Sequence, residues 1–260
     1  MDIKLTVGMP MYRSERIGWV ALESLCRQKD INFRWELIIA EEINSLPFGE
    51  KGIMEYSDRL SKVGCKRIKY IPIDKWVPLS RKWMIIAKEA SESDVFLLQA
   101  ADIYSGDRRL CNTYNIYTEH KPNWIQVAAH LFYDIKTDEF YTYNSLSHGH
   151  PCSTDMATET RLMKKIIMKD KKRSIDSLIY QTINISLKNK IAVYNDKSDW
   201  WKHTVNIHGL NNISARNFSK KYPRSPQYRK MLPDDILKRL QSLKQYAGQM
   251  PLIAVRKKKK

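Results

Sequence analysis

The first hundred residues alternate between short apolar runs and amphipathic helical patterns, and this alternation constrains the fold more strongly than any other feature of the chain. The apolar runs lie over residues 3–7, 35–40, 68–71 and 95–98 and have the length expected of strands. Helical spacing of apolar residues separates them, most clearly over residues 79–90. Strands that alternate with helices in this way predict an α/β fold with a doubly wound, mostly parallel, Rossmann-like sheet.

Polar side chains follow three of these strands. Tyr12 comes shortly after the first strand, and Asp102 comes shortly after the fourth. The second strand ends in Glu41 and Glu42. Because the carboxyl ends of parallel strands meet at one edge, where such sheets bind ligands, we expect these side chains to converge. Each also has a structural interpretation, as a packed turn aromatic, a solvated strand-end charge or a turn acid after a core strand.

The second half of the chain has a different pattern. Residues 124–133 alternate between apolar and polar, a polar turn follows over 134–139, and the chain returns over 140–143. This pattern predicts a hairpin that runs antiparallel to the rest of the sheet. The other patterns predict helices over 158–168 and 175–187, a strand over 190–194 and irregular chain over 200–209.

Positive charge is concentrated in two segments of a chain whose net charge is +17. Residues 216–260 hold fourteen Lys and Arg against two Asp, and residues 161–173 hold seven against one. Because the remaining residues are nearly neutral together, the basicity belongs to these segments and not to the fold. We therefore predict one domain over 1–215 and a basic C-terminal extension over 216–260. The extension is predicted to be a linker or arm, followed by a helix that begins at Pro233.

Cysteine usage and hydropathy suggest a compartment. The four cysteines are scattered and form no Cys-x-x-Cys pair, which favours reduced thiols over a disulfide framework or a zinc knuckle. The N-terminus begins directly as a strand and lacks the apolar segment of a signal peptide. No apolar run approaches 18 residues, so no transmembrane segment is predicted. We expect a cytoplasmic protein, in the host cytoplasm if the chain is viral.

Four motifs within residues 3–110 resemble those of family-2 nucleotide-sugar glycosyltransferases, which have the GT-A fold. The turn Pro10-Met11-Tyr12 resembles the family's Pro-x-aromatic turn, whose ring helps to hold the nucleotide. Glu41 and Glu42 resemble the paired acids that end the family's second strand and recognise the nucleoside. The resemblance implies that the predicted domain has a nucleotide-binding half and an acceptor and catalytic half. These halves would span residues 1–110 and 111–215.

The other two motifs concern the charges around the donor phosphates. The segment Leu79–Trp83 resembles the family's Ala-Arg-Asn-x-Gly helix start, which implies that Arg81 lies near the nucleotide. The segment from Gln99 to Tyr104 resembles the family's Asp-Ala-Asp-Asp-x-Tyr segment, so Gln99 and Asp102 are expected to contact the donor. In this alignment Gln99 and Ala101 replace both aspartates of the metal-binding Asp-x-Asp signature. If the alignment shifts by one place, Asp102 is the final acid of the signature and coordinates the metal.

The resemblance implies an enzyme that transfers a hexosyl or pentosyl group from a nucleotide sugar to an acceptor hydroxyl. Asp176 is the expected catalytic base, because its segment resembles the Glu-Asp-x-x-Leu motif that carries the base. A Mn²⁺ or Mg²⁺ ion at Asp102 and His208 would offset the charge that builds on the leaving diphosphate. The structural alternatives are an acid at a helix N-terminus for Asp176 and an ordinary loop histidine for His208.

The basic segments indicate that the acceptor belongs to a polyanion. Lysine and arginine contacts to phosphates bind nucleic acid without sequence preference, so double-stranded DNA with a hydroxymethylated base is one hypothesis. The base would have to be flipped out of the stack, as in enzymes that large DNA phages would use to mask their genomes. A lipid-linked or cell-surface glycan at an anionic membrane is the second hypothesis, and a non-catalytic nucleotide or nucleic-acid binding protein is the third. The candidate polyanion-binding residues are Lys164, Lys165, Lys171, Lys172, Arg173, Lys220, Lys221 and Arg224.

Overall fold

The computed structural model describes residues 2–44, 46–127, 129–144, 156–171, 177–182, 191–194, 204–209 and 222–247. Eleven described strands form two sheets, and helices cover them. The strands are β1 (Leu5–Met11), β2 (Trp35–Glu42), β3 (Cys65–Ile73), β4 (Val95–Leu98), β5 (Ile103–Ser105), β6 (Trp124–Val127), β7 (Ala129–Asp134), β8 (Glu139–Asn144), β9 (Met156–Glu159), β10 (Ile191–Tyr194) and β11 (Thr204–His208).

The described helices connect the strands of the first half and flank those of the second. They are α1 (Gly18–Leu25), α2 (Gly49–Met54), α3 (Ser57–Lys62), α4 (Leu79–Glu89), α5 (Arg109–His120), α6 (Thr160–Lys165), α7 (residues 177–182) and α8 (Asp234–Ser242). Two 3₁₀ segments, Pro226–Met231 and Lys244–Tyr246, flank α8.

The large sheet confirms the expected parallel architecture. Its seven strands follow the order β10-β6-β9-β4-β1-β2-β3, and β1 runs parallel to both β2 and β4. Strand β9 is antiparallel to β4 and β6, while every other described pairing in this sheet is parallel. Leu5, Val7 and Met9 at the centre of β1 are fully buried, because one core packs around α1 and a second around α4 and α6.

Three predictions for the second half were wrong in detail. The alternating run over 124–133 is two strands. Strand β6 joins the large sheet, parallel to β10 and antiparallel to β9, whereas β7 forms the expected hairpin with β8 in the small sheet. Residues 158 and 159, expected to begin a helix, instead end the antiparallel strand β9, and the helix begins at Thr160. The segment expected to be irregular contains β11, which pairs with β5 and β7. In each case hydrogen-bond partners distant in sequence decide the structure, and local periodicity does not report them.

A turn after β4 connects the large sheet to the small one. The order of the small sheet is β5-β11-β7-β8, and only four residues separate the end of β4 from the start of β5. The backbone N–H of Ile207 in β11 donates to the carbonyl of Asp102 in this turn, at 2.8 Å. The carboxyl end of β4 is therefore also a junction between the two sheets.

The C-terminal residues 222–247 pack against the domain, in contrast to the expected linker or arm. The Ser225 N–H donates to the Phe140 carbonyl at 2.8 Å, and Ile236 and Leu240 of α8 are buried in the core around α1. Arg27, just after the end of α1, forms two hydrogen bonds with the Asp235 carboxylate. Helix α8 begins where the sequence predicted, whereas the boundary at 215/216 lies outside the described residues. Within the described ranges, no helix is long and apolar enough to cross a membrane.

Candidate active site

The carboxyl ends of β1, β2 and β4 meet at one edge of the large sheet, as the sequence predicted. Met11 at the end of β1 pairs with Glu41, and Gly8 pairs with Leu98 at the end of β4. The edge therefore gathers the turn after β1, the acids that end β2 and the turn after β4. Each group of candidate residues has a distinct environment there.

The Glu41 carboxylate holds the loop that follows β2. It accepts hydrogen bonds from the backbone N–H groups of Phe48 and Gly49, at 2.8 and 2.9 Å, and from the Tyr70 hydroxyl at 3.2 Å. Burial and the neighbouring Glu41 carboxylate raise the pKa of Tyr70, which stays a neutral donor. These bonds occupy most of the accepting capacity of Glu41, and its contact with a nucleotide stays a prediction.

Glu42 faces the opposite side of β2 and forms a buried ion pair with Lys82 of α4. The Lys82 Nζ lies 2.7 Å from Glu42 Oε1, and both side chains are at most 4% exposed. Lys82 also donates to the Met11 carbonyl at 2.8 Å. Burial lowers the pKa of Lys82, while the Glu42 carboxylate opposes that shift. Lys82 thus joins the ends of β1 and β2.

Tyr12 completes this cluster at the turn after β1. The Lys82 ammonium lies 5.0 Å from the centre of the Tyr12 ring, within the range of a cation–π interaction. The Tyr12 N–H donates to the Ser14 hydroxyl at 3.0 Å, which holds the turn. Pro10 lies two residues before Tyr12, in β1, where it is half-buried and paired with Ala40. We call Tyr12, Glu42 and Lys82 the strand-end cluster.

Arg81 lies at the start of α4 and pairs with Asp170 at the surface. Its side chain is 58% exposed and its Nε lies 2.8 Å from Asp170 Oδ1. Lys82, one position later on α4, contacts the strand-end cluster instead. Residues adjacent on a helix point about 100° apart, so a slip of one position in a motif moves the functional cation to another face. The contact of Arg81 with a nucleotide stays a prediction.

Gln99 is fully buried behind the turn after β4. Its Nε2 donates to the carbonyls of Ala100 and Ile103, at 3.0 and 2.9 Å. Its Oε1 accepts from the Ser105 hydroxyl at 2.8 Å and from the Arg109 guanidinium at 2.5 Å. All four hydrogen-bonding positions of the amide are therefore occupied within the protein. The expected donor contact of Gln99 stays a prediction.

Asp102 and His208, the two candidate metal ligands, lie on chain segments that the structure brings together. Residue 207 in β11 bonds to the backbone of Asp102, so His208 is one position from the turn. The His208 ring is 3% exposed and packs 5.0 Å from the Phe132 ring. Burial lowers the pKa of His208 to about 4, so the imidazole is neutral near pH 7, the form that binds metals.

A metal ion at Asp102 and His208 stays a prediction. Within the described ranges, no group of three or more His, Cys, Asp or Glu side chains is arranged to hold a metal ion. Mg²⁺ is commonly bound through one or two carboxylates together with substrate phosphates. Asp102 and the neutral His208 imidazole would be the protein's contribution to such a shared site.

The candidate polyanion-binding residues do not form one described patch. Lys165 and Lys171 are exposed, Lys164 pairs with Glu92, and Arg224 pairs with Glu139 beside the small sheet, at 2.9 Å. The chain over 166–171 lies along the start of α4, where the Lys171 N–H donates to the Ser80 hydroxyl at 2.9 Å. The candidates that lie outside the described residues are Asp176, Lys172, Arg173, Lys220 and Lys221.

Comparisons with known proteins identify solved structures that share this fold. No family model and no curated protein matches the chain. S. aureus TarS residues 1–349 in complex with UDP-GlcNAc is 15% identical, with a TM-score of 0.60 over 94% of this chain and 72% of that one. The mannosyltransferase PcManGT from Pyrobaculum calidifontis, in complex with GDP-Man and Mn²⁺, is 9% identical, with a TM-score of 0.58 over 94% and 70%.

The longer TarS structure matches with a TM-score of 0.59 at 16% identity, and the chain spans 37% of its length. At these identities the likeness shows the fold alone. Together with the strand order, it confirms the expected GT-A-like α/β architecture.

Proposed function

We propose that the protein is a glycosyltransferase that moves a sugar from a nucleotide-sugar donor to an acceptor hydroxyl. The observation that carries the proposal is the convergence, at one sheet edge, of the strand-end cluster with the turn of Asp102 and the end of β11. Sheets of this kind bind ligands at the carboxyl ends of their strands. The neighbouring fold structures are complexes with UDP-GlcNAc and with GDP-Man, which supports a nucleotide sugar as the ligand.

In this proposal, the two ends of the donor contact different parts of the edge. Tyr12 offers a ring face to the nucleoside, and Glu42 offers a buried carboxylate that can accept an N–H from the base. Lys82 pairs directly with that carboxylate. Pro10 shapes the same turn.

The diphosphate would lie beside the turn that carries Asp102. A divalent cation held by Asp102, His208 and the diphosphate would offset the negative charge that grows on the leaving group. Asp176 is the proposed base for the acceptor hydroxyl, a role supported by its motif. Arg81 is a second proposed cation of the site, since its side chain is long and solvent-exposed at the start of α4.

The test is donor hydrolysis across a panel of sugar nucleotides that includes UDP-GlcNAc and GDP-mannose, with Mn²⁺ and with EDTA. We expect release of nucleoside diphosphate from at least one donor, and a fall of about 100-fold in Asp102→Asn, because a group that stabilises developing charge is lost. Asp176→Asn should lower transfer as well. Asp107→Asn is the matched control, since Asp107 follows in the next turn and pairs with Lys29 at the surface, at 2.8 Å.

Two outcomes would overturn the proposal. Equal activity of Asp102→Asn and wild type would show that the turn takes no part in catalysis. A thermal shift with a nucleotide but no turnover, with or without hydroxymethylated DNA, would instead favour a non-catalytic binding protein, because a ligand stabilises the folded state that it binds.

For the acceptor, we propose a hydroxymethylated base in double-stranded DNA, with the reaction taking place in the cytoplasm, or the host cytoplasm if the chain is viral. The support is the charge of the two basic segments, which neutral sugar acceptors do not require. A lipid-linked or cell-surface glycan at an anionic membrane is the alternative, because Lys165 and Lys171 are exposed on the same segment as Ile167, which is 90% exposed.

The acceptor hypothesis predicts retention on duplex DNA that weakens steeply with salt. Lys165→Gln/Lys171→Gln should make the slope of log Kobs against log salt concentration less steep, by the loss of up to about two phosphate contacts. Lys4→Gln/Lys29→Gln is the control, since these lysines pair with acids outside the basic segments. Binding to phosphatidylserine vesicles but not to DNA would overturn the DNA hypothesis in favour of the membrane one.

A further inference from the structure

Backbone hydrogen bonds connect the turn between β4 and β5 to both sheets. Its backbone is tied to β1 by the Gln99 N–H, which donates to the Gly8 carbonyl at 2.9 Å. It is tied to β11 through the Asp102 carbonyl and closed by the Ile103 N–H, which donates to the Ala100 carbonyl at 3.2 Å. Any rotation of the small sheet relative to the large one would therefore move Asp102.

The Gln99 side chain spans this turn from the inside. Its amide nitrogen bonds the carbonyls of Ala100 and Ile103, which flank Asp102 on either side. The same amide uses its oxygen to bind Ser105 of β5 and Arg109 of α5. One buried side chain thus connects both ends of the turn to the helix that follows it.

Arg109 completes the connection to the large sheet. Its guanidinium is fully buried and donates to the Leu98 carbonyl at the end of β4, at 2.8 Å. It also donates to the Ser105 hydroxyl at 2.9 Å. A buried guanidinium is costly unless it is hydrogen-bonded, so Arg109 strongly favours the one arrangement that supplies these acceptors. We call Gln99, Ser105 and Arg109 the turn clamp.

We propose that Gln99 and Arg109 are positioning residues, which hold the turn of Asp102 at a fixed place relative to both sheets and thereby set the diphosphate end of the site. The catalytic part of this inference rests on the proposed function, while the clamp itself does not. An acid at position 99 would be unable to donate to the Ala100 and Ile103 carbonyls and would be drawn to Arg109. Replacing Gln99 by an acid would therefore loosen the turn without adding a metal ligand.

The test compares Gln99→Glu with Gln28→Glu. Gln28 is also a buried glutamine, but it bonds the Gly106 carbonyl at 2.6 Å and the Leu110 N–H at 3.0 Å, beyond the turn of Asp102. We expect Gln99→Glu to speed amide hydrogen exchange in peptides covering 99–105 and 204–209, and Gln28→Glu to leave the second peptide unchanged. This readout does not depend on any activity.

The catalytic readout separates positioning from simple stability. With the donor found in the panel, Gln99→Glu should lower kcat by about 10- to 100-fold with KM changed less than threefold, because small displacements of positioned groups slow the chemical step. The Kd of Mn²⁺ in the presence of UDP should rise about tenfold. Arg109→Lys, which keeps the charge, should recover part of both losses relative to Arg109→Met.

Several outcomes would overturn the inference. If amide hydrogen exchange in both peptides is the same in Gln99→Glu as in Gln28→Glu, Gln99 does not clamp the turn. Unchanged kcat and Mn²⁺ affinity with faster exchange would show a clamp without a positioning role. If Gln99→Glu fails to fold, Ser105→Ala can replace it, because it removes one hydrogen bond from Gln99 and one from Arg109. It should change hydrogen exchange, kcat and Mn²⁺ affinity in the same directions by smaller amounts. A wild type that binds no nucleotide would sink the proposed function, and hydrogen exchange would still decide the clamp.

Discussion

Replacing Lys82 with methionine should lower the free energy of unfolding by about 3–5 kcal/mol and weaken nucleotide binding at least tenfold. The substitution would leave Glu42 buried, 3% exposed, without the ammonium that lies 2.7 Å from its Oε1. A buried charge that loses its partner is far more costly than an exposed pair that is broken. The Met11 carbonyl would also lose its 2.8 Å bond from Nζ, which loosens the turn that carries Tyr12.

A double variant separates the structural and functional parts of this effect. Lys82→Met/Glu42→Leu removes both charges, so most of the lost stability should return, because apolar pairs often replace buried ion pairs at little cost. Nucleotide binding should not return, since the carboxylate that would accept from the base is gone. Chemical unfolding measures the first quantity, and calorimetric titration with UDP and with GDP measures the second.

Arg81→Ala is the matched control for Lys82. Arg81 is the neighbouring cation, and its pair with Asp170 is exposed, so its loss should change the free energy of unfolding little. A loss of nucleotide affinity in Arg81→Ala that exceeds the loss in Lys82→Met would contradict our assignment and restore the one implied by the motif. Similar losses in both would show that two cations serve the site.

Glu36→Gln should destabilise the fold by about 3 kcal/mol or more and leave nucleotide affinity unchanged. The Glu36 carboxylate is fully buried in β2 and accepts four hydrogen bonds. Oε1 accepts from the Thr6 hydroxyl and the Ser91 N–H, both at 2.7 Å, and Oε2 from the Ser91 hydroxyl and Arg67, both at 2.9 Å. The NH2 group of a glutamine would face at least one of these donors, and that donor would then have no acceptor.

This effect should be confined to stability because Glu36 lies near the amino-terminal end of β2, opposite the candidate site. Glu89→Gln is the control, since Glu89 pairs with Lys69 in the same region at 38% side-chain exposure and its loss should change the free energy of unfolding little. The two variants are compared by urea unfolding and by UDP titration. A Glu36→Gln protein of wild-type stability would refute the role assigned to this network.

The paired acids show how far motif reasoning reaches. The sequence predicted that Glu41 and Glu42 end a strand at the ligand-binding edge, and the structure confirms that place. Successive residues of a strand point to opposite faces, so the two carboxylates cannot share one task. Glu41 holds the start of α2, whereas Glu42 meets α4. The alternation is visible in sequence, but the elements that cover each face are not.

The same limit applies to the cations and to the turn after β4. Helical periodicity predicted α4, and tertiary packing decided that Lys82 rather than Arg81 contacts the strand ends. A short run ending at Asp102 predicted a strand followed by a turn. The enclosure of Gln99 by Arg109 depends on α5, whose placement no local pattern reports.

The sequence by itself determined the alternation of strands and helices in the first half, the parallel sheet, and the edge at which its polar strand ends converge. It could do so because burial sets the spacing of apolar residues along the chain. They recur every second residue on half-covered strands and about every 3.6 residues on helices, and they form continuous runs on fully covered strands. Only the tertiary structure decided that β9 inserts antiparallel between β4 and β6, that residues 222–247 pack on the domain, and which side chain occupies each position at the edge. These outcomes depend on contacts between residues distant in sequence, whose energies no local pattern contains.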